Sequence, residues 1–180
     1  MGVRYYLPHS SGCFICGEEN TFGVDARFYV EDNHVKADLC IPARFCGFKG
    51  VVHGGIVSAL LDECMGWSAS VFGTMDTLCF TRNLNVKFRK NTPSETPLTL
   101  ITSYSGKNRM FYEASGCIKD SEGTVYAEGS GQFIAVPEEK MDETMNYLRM
   151  DPSLSYHPVF IKIYEKWKSE HKTRTGAGNA

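Results

Sequence analysis

The residues able to do chemistry crowd into one short stretch, Gly50-Val51-Val52-His53-Gly54-Gly55-Ile56-Val57-Ser58-Ala59-Leu60-Leu61-Asp62-Glu63. It reads as a loop that tips into a helix at the paired glycines. Backbone N–H groups at a helix start have no intrahelical acceptor, and the dipole there favours negative charge. Such amides can receive a carbonyl oxygen as it becomes an oxyanion. From Ile56 the residues are apolar or small almost all the way round to Phe72, the pattern of a buried helix. A carboxylate on such a helix is costly unless it is paired, hydrogen-bonded or used. Asp62 is therefore a candidate base for activating water. It lies about 10–12 Å along the axis from Gly54 at about 1.5 Å per residue. One reacting carbonyl cannot touch both ends of that span. If both groups serve one site, a second copy of the helix supplies one of them, so a catalytic reading predicts a homodimer with its sites across the interface.

The elements that must position these groups follow from periodicity. Residues 25–31 and 34–41 read as two strands joined by a tight turn at Asp32-Asn33, with Val35, Ala37, Leu39 and Ile41 alternating against Lys36, Asp38 and Cys40. After the helix, with Gly73 as its expected stop, come four extended segments at 77–90, 97–105, 109–119 and 124–136. Leu84, Val86 and Phe88 share one face of the first, and Asp120-Ser121-Glu122-Gly123 turns the last pair. Two strands, one long apolar helix and four strands imply an α+β fold in which a curved antiparallel sheet wraps the helix. The expected organisation is an N-terminal loop segment at 1–24, a core domain at 25–136 and a helical tail at 137–180. In that tail Met141, Met145 and Leu148 form one apolar stripe, Phe160, Ile163, Tyr164 and Trp167 another, and residues 173–180 are expected to be disordered.

Composition excludes several classes of function. The chain has 180 residues and a formal charge of -2; its pI is near 6.2. Neither nucleic acid nor an anionic membrane is an expected partner. The N-terminus has no apolar run, so no signal peptide or spanning helix is expected, and the cytoplasm is the expected compartment. Seven dispersed cysteines fit free thiols in a reducing environment. Cys13-Phe14-Ile15-Cys16-Gly17 is a lone C-x-x-C with His9 nearby; without a second pair at ligand spacing it reads as packed thiols in an ordered loop, with no metal and no cofactor expected. Cys46 and Cys64 lack the histidine and acid that thiol catalysis needs.

The arrangement resembles the hotdog fold, and the motif resembles its acyl-CoA thioesterases of the phenylacetic-acid-degradation (PaaI-like) type, in the 4-hydroxybenzoyl-CoA thioesterase superfamily. The matching residues are Gly50-Val51-Val52-His53-Gly54-Gly55 and Leu60-Leu61-Asp62, with Thr81-Arg82-Asn83-Leu84-Asn85-Val86-Lys87-Phe88 as the strand after the helix. Cys13-Phe14-Ile15-Cys16-Gly17, Asn20 and Gly23 resemble a leader found in one branch. The resemblance covers roughly residues 13–136.

The resemblance implies hydrolysis of acyl-CoA thioesters in a homodimer, on a fold that commonly pairs dimers into a dimer of dimers. Asp62 would be general base or nucleophile, and Gly54 N–H of the partner subunit would polarise the thioester carbonyl. His53 would order the turn and help position the thioester, and Thr81 would hold Asp62 or the attacking water. Gly55 would help bind substrate at the same turn, and Arg82, Lys107 and Arg109 would meet the phosphates of CoA. Some members carry an amide side chain six residues before the histidine; here that position is Gly47. Glu63, about 100° round the helix from Asp62, is expected to be structural. Two other readings stay open: a hotdog protein that binds acyl-CoA without turnover, and a hydratase using His53 and Asp62.

Overall fold

The computed structural model describes residues 2–176. In chain order these form β1 (Tyr5–Tyr6), β2 (His9–Ser10), β3 (Tyr29–Glu31), β4 (His34–Cys40), β5 (Cys46–Phe48), β6 (Val51–Val52), α1 (Gly54–Ser68), β7 (Cys79–Phe88), β8 (Pro97–Asn108), β9 (Phe111–Lys119), β10 (Val125–Ala135), α2 (Glu138–Tyr147), β11 (Leu148–Arg149) and α3 (Pro158–Gly176). A short 3-10 turn, Ala43–Phe45, precedes β5, and a π-helical turn, Ala69–Thr74, extends α1.

Seven strands make one sheet in the order β1-β3-β4-β8-β9-β10-β7. Every registered pair in it is antiparallel. The sheet curls around α1, which packs on β4, β7, β8, β9 and β10. Leu60, Leu61, Cys64 and Met65 have no exposed surface, so the helix is covered on more than one side, as its apolar sequence requires. Each large apolar side chain buried this way contributes about 1.5–3 kcal/mol. At Gly129 of β10 an added Cβ would meet Met65 Cε at 3.1 Å and Leu61 Cδ2 at 3.3 Å; glycine there lets the sheet come up against the helix. Buried hydroxyls lock the other side, where Ser68 Oγ and Thr102 Oγ1 are 2.7 Å apart and Thr102 donates to Cys64 O at 3.0 Å.

Several expectations change in detail. The first predicted strand shrinks to Tyr29–Glu31, because Asp25 takes φ 60 and the chain before it is tied to the N-terminal loop by Ala26 N–H to Ile15 O at 2.8 Å. The Asp32-Asn33 turn forms with φ 52 and 60. Gly73 does not stop the helix. The chain passes through it and turns at Met75, φ 60, while Gly73 gives room to rings: a Cβ there would lie 2.9 Å from both Tyr104 and Tyr112.

The C-terminal helices dock on their own chain. Phe160 and Ile163 are buried, the Phe160 ring sits edge-on to Trp67 at 6.1 Å, and Trp167 Nε1 donates to Asp142 Oδ1 at 2.8 Å across α2 and α3. β11 pairs with β2, and Tyr156 bridges to Tyr6. N-terminal loop and tail are thus stitched together over one end of α1. α3 runs to Gly176, so the first four residues of the 173–180 segment are helical, contrary to expectation; 177–180 lie outside the described residues. Among the described residues no helix is long and apolar enough to cross a membrane.

Candidate active site

The start of α1 is built by β5 and β6, a small hairpin that turns at Gly50, φ 74. His53 is the N-cap: its N–H donates to Phe45 O at 2.8 Å, and its Nδ1 accepts Gly55 N–H at 2.9 Å. A neutral imidazole whose Nδ1 accepts carries its proton on Nε2, so the exposed edge of the ring is a donor. The Gly55 amide is occupied by this cap. Gly54, the first helical residue, has no acceptor for its N–H among the described residues. A Cβ at Gly54 would meet the Phe88 ring at 3.2 Å, and one at Gly47 would meet His53 Cδ2 at 3.2 Å. The missing amide side chain at Gly47 therefore has no ready space unless His53 shifts.

Asp62 stands two turns further along α1. Thr81 Oγ1 donates to its Oδ1 at 2.8 Å. Burial lifts the Asp62 carboxyl above its ordinary value, and the Thr81 bond draws it part of the way back. The contact depends on a bulge in β7. Gln132 of β10 faces Asn83, but Phe133 faces Thr81, so Arg82 is the extra residue. Leu84 and Val86 point to the helix; by strict alternation Arg82 would follow them. The bulge turns Arg82 out and Thr81 in.

Asp62 and Thr81 open on a cavity of about 370 Å³, bounded also by Ala59, Gly66, Trp67 and Phe80. Its other walls come from outside the core domain: Ser10, Cys13 and Ile15 of the N-terminal loop, Thr144 of α2 and Leu148 of β11. Trp67 and Phe80 thus line the cavity, while Met65 is sealed in the core and Phe72 packs against His157, ring to ring at 5.9 Å. Of the small residues at i−4, i+4 and i+7 from Asp62, Gly66 borders the cavity, whereas Ser58 bonds back to Gly54 O at 2.9 Å and Ala69 is core.

Glu63 follows Asp62 on α1. Its side chain also reaches the cavity wall, where Cys13 Sγ donates to Oε2 at 3.3 Å, and burial pushes its carboxyl up to about 8. His9 does not join the cysteines; its Nε2 is 3.1 Å from Glu18 Oε1. The third group beside the C-x-x-C is Glu63, which sequence reading missed because nothing in the spacing links residue 63 to residue 13.

The three basic candidates gather at one end of the sheet. Lys107 Nζ lies 4.7 Å over the Tyr112 ring and donates to its hydroxyl at 3.2 Å. Arg82 lies 5.8 Å from the Phe111 ring, and Arg109, φ 53, sits in the β8–β9 turn. Thr81, Phe133, Tyr112 and Lys107 are successive cross-strand neighbours, so Lys107 is about 14 Å from Thr81 at about 4.8 Å per strand. Gly54 and Asp62 remain about 12 Å apart within one chain.

A central helix wrapped by a curved antiparallel sheet, opening with a glycine turn, defines the hotdog class. The thioesterase superfamily profile matches residues 49–127, which span the glycine turn, α1, β7, β8, β9 and the first residues of β10. Among solved structures, a thioesterase superfamily protein superposes with TM-score 0.61 at 25% identity over 68% of this chain, which spans 62% of that protein's length. The PaaI protein of the E. coli phenylacetic acid degradation operon superposes with TM-score 0.56 at 10% identity, over 63% of this chain and 81% of that one. A hypothetical thioesterase of Streptococcus pneumoniae, solved with coenzyme A, gives TM-score 0.52 at 17% identity, over 58% and 82%. No curated protein matches. The profile match over residues 49–127 and these superpositions make the chain similar to the thioesterase superfamily, and its fold is the hotdog fold seen in the PaaI-like proteins.

Proposed function

We propose that the protein hydrolyses acyl-CoA thioesters to free acid and CoA. The observation that carries this reading is the carboxylate of Asp62, sheltered on a cavity wall and held by Thr81 Oγ1 at 2.8 Å. A protein that only bound thioesters would need no such base.

In the proposed reaction a water held by Asp62 attacks the thioester carbon while Asp62 takes its proton. The carbonyl oxygen becomes an oxyanion and is received by Gly54 N–H, with His53 Nε2–H as a second donor at the same turn. Collapse of the tetrahedral intermediate breaks the carbon–sulfur bond, and the CoA thiolate leaves with the proton. Because Gly54 and Asp62 lie about 12 Å apart along one helix, the Gly54 that serves Asp62 belongs to a second copy. The sheet edge supports this. Among the described residues β7 pairs only with β10, which leaves its other edge open, and the strand carries Phe80 and Phe88, 40% and 55% exposed. An edge strand of ten residues with bare aromatic rings is a surface that proteins normally cover. CoA would run over that interface, its phosphates toward Arg82, Lys107 and Arg109. The pneumococcal relative solved with coenzyme A supports this ligand class.

The test is thiol release from short, medium, long and aryl CoA esters, run beside Asp62→Asn. Turnover that collapses in the variant supports the reading. Binding of CoA esters with no turnover by the native protein would make it a sensor, and no binding at all would end the proposal.

A further inference from the structure

The C-x-x-C leader folds back onto α1 beside the cavity. Cys13 Sγ lies 3.3 Å from Glu63 Oε2, and the donor atoms of Cys13, Cys16 and Glu63 all lie within 4.8 Å of one another. Each sulfur also accepts a backbone amide, Ile15 N–H on Cys13 and Ser10 N–H on Cys16, both at 3.3 Å. The loop is closed tightly to do this. Gly17 N–H bonds Cys13 O at 3.0 Å, and a Cβ at Gly17 would fall 2.5 Å from the backbone of Cys13. Glu63 has no Lys, Arg or His within ion-pair distance among the described residues. Two sulfurs and a lone carboxylate therefore face one another with no positive charge between them.

We propose that Cys13, Cys16 and Glu63 form a binding site for a divalent cation of the zinc class. Zinc takes sulfur at about 2.3 Å and carboxylate oxygen at about 2.0–2.2 Å in tetrahedral geometry, which the observed cluster meets with small side-chain rotations. Mixed sulfur and oxygen donors exclude magnesium and calcium. Binding forms two metal–sulfur bonds and one metal–oxygen bond, and releases the two thiol protons, with the proton on the Glu63 carboxyl where it is protonated, to solvent. Cys13 and Glu63 border the cavity while Cys16 is buried behind them, so the open fourth position faces the cavity. The ion would clamp the N-terminal loop to α1 one residue from Asp62. This site stands apart from the hydrolase reading, because its test measures no turnover.

The reduced, metal-stripped full chain is titrated with cobalt and then zinc. The expected result is one equivalent of cobalt with a thiolate-to-cobalt charge-transfer band, displaced by zinc. Cys13→Ser with Cys16→Ser should abolish the band. Glu63→Gln should keep it and weaken binding about 10- to 100-fold. Cys40→Ser, at an exposed thiol elsewhere, should change nothing. In the native chain, independent of any variant, zinc should slow alkylation of Cys13 and Cys16 relative to Cys40. Absence of the band in reduced protein, a band that survives in the double variant, or equal alkylation of all three thiols with and without zinc overturns the site.

Discussion

At the scale of single residues, the candidate base and its holder make the sharpest predictions. Asp62→Asn keeps the shape of the side chain and the Thr81 contact but cannot take a proton, so kcat should fall about 10²- to 10⁴-fold, the usual worth of a positioned base, with KM little changed. Steady-state kinetics on the best CoA ester checks this; a variant with native kcat would remove Asp62 from the reaction. Thr81→Val leaves Asp62 Oδ1 without its 2.8 Å donor. The lost hydrogen bond to a charged group is worth about 1.5–3 kcal/mol, so kcat should drop about 10- to 100-fold, and Thr81→Ser should restore most of it. His53 was legible as a residue of the turn, but not its tautomer. That follows only from Nδ1 capping Gly55, which leaves Nε2–H as the ring's outward donor.

At the scale of elements, the bulge in β7 and the docking of the tail decide what the cavity is. Alternation along 77–90 suggested that Leu84 and Val86 face the helix with Arg82 away from them, and what it did not show was the extra residue opposite Phe133 that makes this so. Bulges are invisible to periodicity because they break it at one position only. The tail's apolar stripes were readable, but their target was not. Phe160, fully buried against Trp67, ties α3 to the helix that carries Asp62. Phe160→Ala should cost about 3–5 kcal/mol in chemical denaturation, reported as a lower midpoint. At the head of α3, His157 is held between the rings of Tyr5 and Phe72 with Nδ1 buried, and burial lowers its pKa. A depressed imidazole binds fewer protons folded than unfolded. Stability should therefore decline as pH falls below the ordinary value of about 6.5, and the loss is complete once pH passes the folded value. Melting temperatures from pH 8 to 5 should fall more steeply for the native chain than for His157→Phe; parallel curves would show that His157 does not govern the acid limb.

At the scale of the whole molecule, the question is whether one active site needs two chains. Gly54→Pro removes the N–H proposed to meet the oxyanion, at a first helical position that tolerates proline. Phe88, half exposed, must swing aside to admit the ring. Gly54→Pro and Asp62→Asn should each be nearly inactive alone. Mixed by unfolding and refolding in equal amounts, they should recover about a quarter of native activity, because half the dimers are hybrids with one intact site of two. No recovery, with hybrids present by native mass spectrometry, would mean that both groups act within one chain or not at all.

Unaided, the sequence determined the elements and their chemistry: one helix too apolar to be uncovered, strands patterned for a single packed face, and an acid and a glycine turn whose fixed helical rise keeps them apart. These are local properties, set by backbone geometry and by the cost of exposing apolar or burying charged groups. Tertiary structure alone decided which distant groups meet. It supplied the bulge that lets Thr81 reach Asp62, brought Ser10, Thr144 and Leu148 to wall the cavity, and set Glu63 against Cys13 across fifty residues of chain. Such meetings depend on a register shift and on how loops close over a finished core, and neither leaves a period or a spacing in the chain itself.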